Sequence, residues 1–209
     1  FNGTAWRPEE LAVVPDWATL FTYAFVHFDL WHLVGNMLFL WVFADNVEDA
    51  LGHVRYFIFY LLCAAAAGDV FVLSAPLSEG PLIGASGAVG GNIGAYLLLH
   101  PRAKVWVLVF IPLHLRAAWV LSAWIIFQFV VAFWGGQGDE QIAWWAHIGG
   151  VLAGAVLVVF MRQRGVPLFA PDPYEAHVAR RRLMQDPPPP PQEGVLPERE
   201  KDGTKGPWQ

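Results

Sequence analysis

Charged residues are scarce in this sequence, and they are unevenly placed. Asp, Glu, Lys and Arg make up 15% of the 209 residues, whereas a soluble domain carries about a quarter. The three longest stretches without a charged residue are residues 80–101, 117–138 and 141–161. Each is as long as the roughly 20 residues that a membrane-spanning helix needs. These gaps argue against a soluble enzyme or a disordered chain, and they predict an all-α polytopic membrane protein.

The sequence has a single cysteine and no excess of positive charge. Cys63 is the only cysteine, which excludes an intrachain disulfide and a cysteine metal cluster, and its apolar surroundings indicate a packing role. The net charge of −5 gives no reason to expect a nucleic-acid partner. No phosphate-binding loop is present, so we expect no nucleotide and no cofactor. The expected surroundings are a lipid bilayer.

Five apolar segments divide the chain. The predicted spans are residues 30–47, with an apolar lead-in at 20–28, then 56–73, 82–99, 117–134 and 142–161. Residues 105–113 form another apolar run, but it is too short to span a membrane, so we expect an interfacial or re-entrant piece there. Residues 1–19 should form an extracytoplasmic loop, residues 20–164 the membrane domain, and residues 165–209 a disordered proline-rich tail.

Lysine and arginine placement predicts the orientation of these spans. With five spans, Arg7 is the only basic residue on one side, and the other twelve fall on the opposite side. Cytoplasmic loops are enriched in basic residues. The tail should therefore be cytoplasmic and the N-terminal residues extracytoplasmic.

Polar residues inside a bilayer are costly, which makes each one a functional candidate. They are His27, His32, Asn36, Ser86, Asn92, Gln128 and His147. Ser86 and His147 both lie near the predicted extracytoplasmic ends of their segments, at similar depth. Ser86 shares a helix stripe with Gly90 and Gly94, and His147 shares one with Gly150 and Gly154.

This glycine spacing lets two membrane helices approach closely. It therefore predicts contact between Ser86 and His147, which is the pairing of a nucleophile with its general base. His32 and Asn36 lie on one face of the first helix in the same half of the bilayer. With the Ser86 N–H, they could form an oxyanion hole. Gly84 and Gly87 leave the backbone beside Ser86 open.

Structural interpretations compete with these roles. An isolated serine in a membrane helix usually bonds to its own helix. We interpret Asn92 and Gln128 as structural, and His27 as holding the entry loop rather than acting in catalysis. The remaining histidines fall in predicted loops or the tail, and should be solvated: His53, His100, His114 and His177.

A metal site is the rival use of the intramembrane histidines. His27, His32 and His147 could in principle hold a metal ion. There is, however, no H-E-x-x-H motif and no intramembrane carboxylate beside these rings, so we expect no metal.

Three motifs then resemble one family. Residues 32–36 (HLVGN), 84–87 (GASG) and 146–150 (AHIGG) look like the HxxxN, GxSG and AHxxG motifs of rhomboid intramembrane serine proteases, in the same order. Residues 41–48 and 100–103 resemble bacterial members, which implies a bacterial inner membrane. The resemblance covers about residues 16–164.

The resemblance implies a rhomboid-like bundle with six helices, of which five are expected here, so the family's first helix would be absent. It also implies that Ser86 and His147 form a catalytic dyad that cleaves transmembrane protein substrates near their extracytoplasmic ends. Some members carry an aromatic residue four positions after the serine, stacked on the histidine. Gly90 stands there, so other packing must orient His147.

Two alternatives stay open. A rhomboid-like protein without activity could bind transmembrane clients, although retention of both Ser86 and His147 argues against that interpretation. A small transporter or channel would need polar residues through the full membrane depth, whereas here they cluster in one half. Asp29, Asp45 and Asp69 offer no carboxylate at the depth of His147, which favours a dyad over a triad.

Overall fold

A computed structural model describes residues 15–74, 81–108, 112–134 and 139–171. The helices and strands are α1 (Asp16–Thr22), a 3-10 turn (Tyr23–Phe25), α2 (Leu30–Leu51), α3 (His53–Ser74), α4 (Ser86–Leu99), β1 (Lys104–Leu108), β2 (Pro112–Arg116), α5 (Ala117–Trp134) and α6 (Asp139–Met161). The predicted helical fold class is confirmed.

Helix α4 is the centre of the bundle, with α2, α3, α5 and α6 packed against it. All of its residues from Gly87 to Tyr96 are buried. The helix is rich in glycine and alanine, and such residues let neighbouring backbones come close. The surrounding helices instead expose many large apolar side chains, among them Trp41, Ile126 and Phe160. These exposed faces suit contact with lipid chains.

Among the described residues, three helices are long and apolar enough to cross a membrane: His53–Ser74, Ala117–Trp134 and Trp144–Met161. A fourth candidate is the pair Trp17–Phe25 and Leu30–Leu51, which is bent by 90°. The sequence also predicted a span at residues 82–99, the third of its five. Because residues 82–85 are not helical, α4 has only 14 residues. It is about 21 Å long, which is shorter than the hydrocarbon layer of about 30 Å.

The short apolar run near residue 105 forms a β-hairpin, which the sequence analysis did not anticipate. Strands β1 and β2 pair antiparallel, from Lys104 opposite Arg116 to Leu108 opposite Pro112. Residues 104–108 (KVWVL) are rich in β-branched and aromatic types, which favour strands. The hairpin connects α4 to α5.

The chain after α6 folds back onto the bundle. The Gln163 N–H donates to the Ala50 carbonyl at 2.9 Å, and the Phe169 and Ala170 N–H groups donate to the Leu98 and Leu99 carbonyls at 2.6 and 2.9 Å. The packed region therefore reaches Ala170, beyond the predicted boundary at residue 164. The predictions for residues 1–14 and for the tail from residue 172 lie outside the described residues.

Candidate active site

Ser86 is the first residue of α4, and the turn before it is held from two sides. Gly84 has φ of +113°, a backbone conformation that glycine adopts most readily, and its N–H donates to the Tyr23 carbonyl at 3.1 Å. The Ala85 N–H donates to His27 Nε2 at 3.4 Å. His27, which the sequence analysis interpreted as holding the entry loop, thus joins the entry segment to the turn before α4. The first N–H groups of any helix lack intrahelical partners, and that of Ser86 is one of them.

The structure brings Ser86 and His147 together. His147 lies on α6, and its Nε2 is 2.7 Å from Ser86 Oγ. This distance is typical of a hydrogen bond that involves a hydroxyl group. The other ring nitrogen, Nδ1, is 2.9 Å from Gln128 Oε1 on α5. Three side chains from three helices therefore form one hydrogen-bonded series.

Glycines set the spacing of the helices that carry Ser86 and His147. A Cβ atom at Gly90 would lie 2.8 Å from the His147 carbonyl oxygen, and one at Gly94 would meet the Val151 carbonyl oxygen. In the other direction, Cβ atoms at Gly150 and Gly154 would meet the carbonyl oxygens of Gly87 and Gly91. Backbone therefore touches backbone between α4 and α6, with no side chain between them.

The His147 ring is packed by two indoles. Trp124 lies 6.1 Å from it between ring centroids, tilted by 31°, and Trp144 lies 5.6 Å away and edge-on at 89°. Gly90 cannot contribute a ring, because its missing side chain faces the His147 backbone. Trp124, Trp144, Gln128 and Ser86 thus contact the His147 ring.

His32 lies beside the turn that precedes Ser86, and Asn36 lies four residues further along α2. The His32 ring fills the space next to Gly84, where a Cβ atom would be 2.5 Å from His32 Cε1. His32 also contacts the His27 ring edge-on, at 5.3 Å between centroids. Asn36 is buried, and within the described part of the chain its Nδ2 has no hydrogen-bond partner. A buried donor without a partner is costly, and at a candidate site it suggests a ligand.

Gln128 is the residue whose contact the sequence analysis missed. It was noted as an intramembrane polar residue but interpreted as structural. Its burial, with 2% of its surface exposed, and its hydrogen bond to His147 connect it to the site. The sequence signal that could have identified this role is the polar side chain itself, because a polar residue inside a membrane span is a functional candidate by default.

Other polar candidates lie away from the site. Asn92 Nδ2 donates to the Ala88 carbonyl at 3.1 Å, which is a bond within α4. Exposed His53 pairs with Glu48 at 2.6 Å, and His114 stacks on Trp106 in the hairpin. His100 differs from its prediction, because it is half-buried instead of solvated. His177 lies outside the described residues, and in the described ranges no three His, Cys, Asp or Glu side chains converge on a possible metal site.

Comparison with known proteins matches residues 14–164 to the Rhomboid domain. Rhomboid protein 1, mitochondrial, of Saccharomyces cerevisiae is 35% identical over 143 residues, which cover 64% of this chain and 38% of that protein. RHOMBOID-like protein 12, mitochondrial, of Arabidopsis thaliana is 30% identical over 155 residues, covering 66% and 44%. The human presenilin-associated rhomboid-like protein, mitochondrial, is 28% identical over 139 residues, covering 65% and 36%. The chain thus spans less than half the length of these relatives.

Proposed function

Because this chain belongs to the rhomboid family, we propose that it is an intramembrane serine endopeptidase that cleaves the transmembrane segments of other membrane proteins. The observation that carries the proposal is the 2.7 Å separation of His147 Nε2 and Ser86 Oγ. A serine hydroxyl is a weak nucleophile until an adjacent base removes its proton. His147 is in position to be that base.

In the proposed reaction, Ser86 Oγ attacks the scissile carbonyl carbon while His147 Nε2 takes the hydroxyl proton. The carbonyl oxygen becomes an oxyanion. When the tetrahedral intermediate collapses, the C–N bond breaks and the protonated His147 gives its proton to the leaving amine. Water then attacks the acyl-enzyme by the same proton transfers and releases the carboxylate product.

The oxyanion requires preorganised donors. The Ser86 N–H at the start of α4, Asn36 Nδ2 and the His32 ring are the donors that we propose. The unpartnered Nδ2 of Asn36 supports this assignment, since a substrate oxygen would supply the missing acceptor. His32 lies against Gly84, which is two residues before the nucleophile.

The substrate must expose a backbone carbonyl, yet an intact transmembrane helix satisfies its own. We therefore expect substrates with helix-breaking residues near the cut and small residues at it. In our proposal, the Ser86 end of the bundle faces the extracytoplasmic side and the tail is cytoplasmic, because the six basic residues of the described part of the chain lie near the helix ends opposite Ser86. This integral membrane protein would then cut near the extracytoplasmic end of its substrates, and we place it in a bacterial inner membrane.

The test is cleavage of a transmembrane substrate in proteoliposomes by the chain and by its Ser86→Ala and His147→Ala variants. We expect cleavage by the unmodified chain and a loss of at least about 10³-fold in kcat for each variant. Thermal unfolding of the variants checks that they remain folded. If the unmodified chain does not cleave but binds the same segment as tightly as the variants do, the protease proposal fails and client binding takes its place.

A further inference from the structure

Gln128 occupies an unusual place on a helix that otherwise suits lipid. The buried residues of α5 form one stripe, made of Ala117, Leu121, Gln128 and Ala132. Gln128 is the only polar member of this stripe. A buried amide within a membrane costs free energy unless it is hydrogen-bonded. Its Oε1 is 2.9 Å from His147 Nδ1.

The direction of this hydrogen bond follows from the chemistry of the two groups. In the structure, Gln128 presents its amide oxygen to His147 Nδ1, and an amide oxygen only accepts hydrogen bonds, so in this arrangement Nδ1 is the donor and carries a proton. In a neutral imidazole the other nitrogen, Nε2, is then unprotonated and acts as an acceptor. That is the nitrogen 2.7 Å from Ser86 Oγ, so Ser86 donates to it. The tautomer that fits both contacts is thus the one in which His147 can act as a base.

We propose that Gln128 is a positioning residue for His147: it fixes the ring tautomer and orientation and stabilises the imidazolium that forms during acylation. The role resembles that of the buried aspartate in a serine-protease triad, with a neutral amide in place of a carboxylate. The proposal rests on the protease function proposed above. The sequence analysis considered three aspartates for this role, Asp29, Asp45 and Asp69. All three are exposed, and the group at His147 Nδ1 is the Gln128 amide.

Two features of the site make this contact necessary. Gly90 contributes no side chain to hold the ring, because its α-carbon packs against the His147 carbonyl. The two indoles, Trp124 and Trp144, restrict the ring by packing but contribute no acceptor to the Nδ1 proton. A hydrogen bond at Nδ1 is what distinguishes one tautomer from the other.

The first arm of the test measures the tautomer itself. ¹⁵N-histidine-labelled protein in detergent is compared with Gln128→Met, which keeps the side-chain volume but removes the amide acceptor. The His147 signals are assigned by their loss in His147→Ala. We expect Nδ1-protonated His147 in the unmodified chain and an increased Nε2-protonated population in Gln128→Met. This arm needs no turnover, so it decides the proposal even if the chain is not a protease.

The second arm measures kinetics. We expect Gln128→Met to lower kcat by about 10- to 100-fold with KM unchanged, a smaller loss than that from removing a charged triad member. Gln128→Glu keeps an acceptor oxygen in the same place and should recover most of the lost kcat. Leu121→Ala is the matched control, since it perturbs the same buried stripe of α5 without touching His147.

Three results would overturn the proposal. The first is an unchanged His147 tautomer in Gln128→Met. The second is equal impairment of Gln128→Met and Gln128→Glu, which would indicate a packing role. The third is a Leu121→Ala variant that shifts the tautomer as much as Gln128→Met does, which would indicate that any disturbance of α5 is sufficient.

Discussion

Helices α4 and α5 each contribute one polar group to the site, but they are held in place differently. Helix α4 is buried along nearly its whole length, and its glycines bring its backbone against that of α6. Helix α5 buries a single stripe and exposes large residues such as Ile126 and Phe127. The position of Ser86 is therefore set by backbone contact, and the position of Gln128 by side-chain packing. The two helices should differ in what they tolerate.

The largest effect is expected where added atoms have no room on α4. In Gly94→Ala, the new methyl group meets the Val151 carbonyl oxygen and lies 3.2 Å from the Ala155 nitrogen. Both are backbone atoms, which cannot rotate away, so α4 and α6 must separate. We expect a loss of about 3 kcal/mol in the free energy of unfolding, at the upper end of overpacking costs. Thermal or denaturant unfolding of the purified protein in detergent measures it.

Gly35→Ala is the matched control for that substitution. Gly35 is also a glycine within a helix, but a Cβ atom there has no other atom within 4 Å. The same change should leave stability unaltered or raise it by about 0.5–1 kcal/mol, because glycine is entropically unfavourable in a helix. Equal losses in the two variants would show that backbone contact between α4 and α6 does not determine stability.

The sequence predicted the helical membrane fold, but it did not predict the segments that differ from regular membrane-spanning helices. Charge-free stretches locate apolar segments, but they cannot show where a helix begins inside one. Residues 82–85 are uncharged and non-helical, so the predicted third span was longer than α4. The hairpin at β1 and β2 was missed because it is short. The return of Phe169 and Ala170 to the end of α4 depends on long-range backbone hydrogen bonds that no local pattern encodes.

At the site, spacing predicted the contact between Ser86 and His147 because glycines on both helices mark the faces that meet. It could not predict Gln128. That residue lies 19 positions before His147 on a different helix, and its role depends on how α5 is rotated. A single glutamine in an apolar segment carries no information about rotation. The packing of Trp124 on the His147 ring is hidden for the same reason.

A medium effect is expected on the buried stripe of α5. Leu121 is fully buried, so Leu121→Ala leaves a cavity and should lower the free energy of unfolding by roughly 2 kcal/mol. Ile126 lies on the same helix with 61% of its surface exposed, and Ile126→Ala should change stability by less than about 0.5 kcal/mol. Unfolding of both variants in the same detergent makes the comparison. Similar losses would mean that the two faces of α5 are equally packed.

The smallest effect is expected at His100, which follows the last turn of α4. Its Nδ1 is buried and has no hydrogen-bond partner among the described residues, and burial lowers the pKa of the ring from its ordinary value of 6.5. The unfolded chain then binds the proton more readily than the folded one does. Stability is therefore fully present above about pH 6.5 and falls as the pH drops through and below that value. The unfolding temperature of the unmodified chain should fall between pH 7.5 and pH 5.5, and by slightly less in His100→Gln. An identical pH dependence in the two proteins would mean that His100 titrates alike in the folded and the unfolded chain. The end of α4 would then be open to solvent, just as the exposed face of α5 is open to lipid.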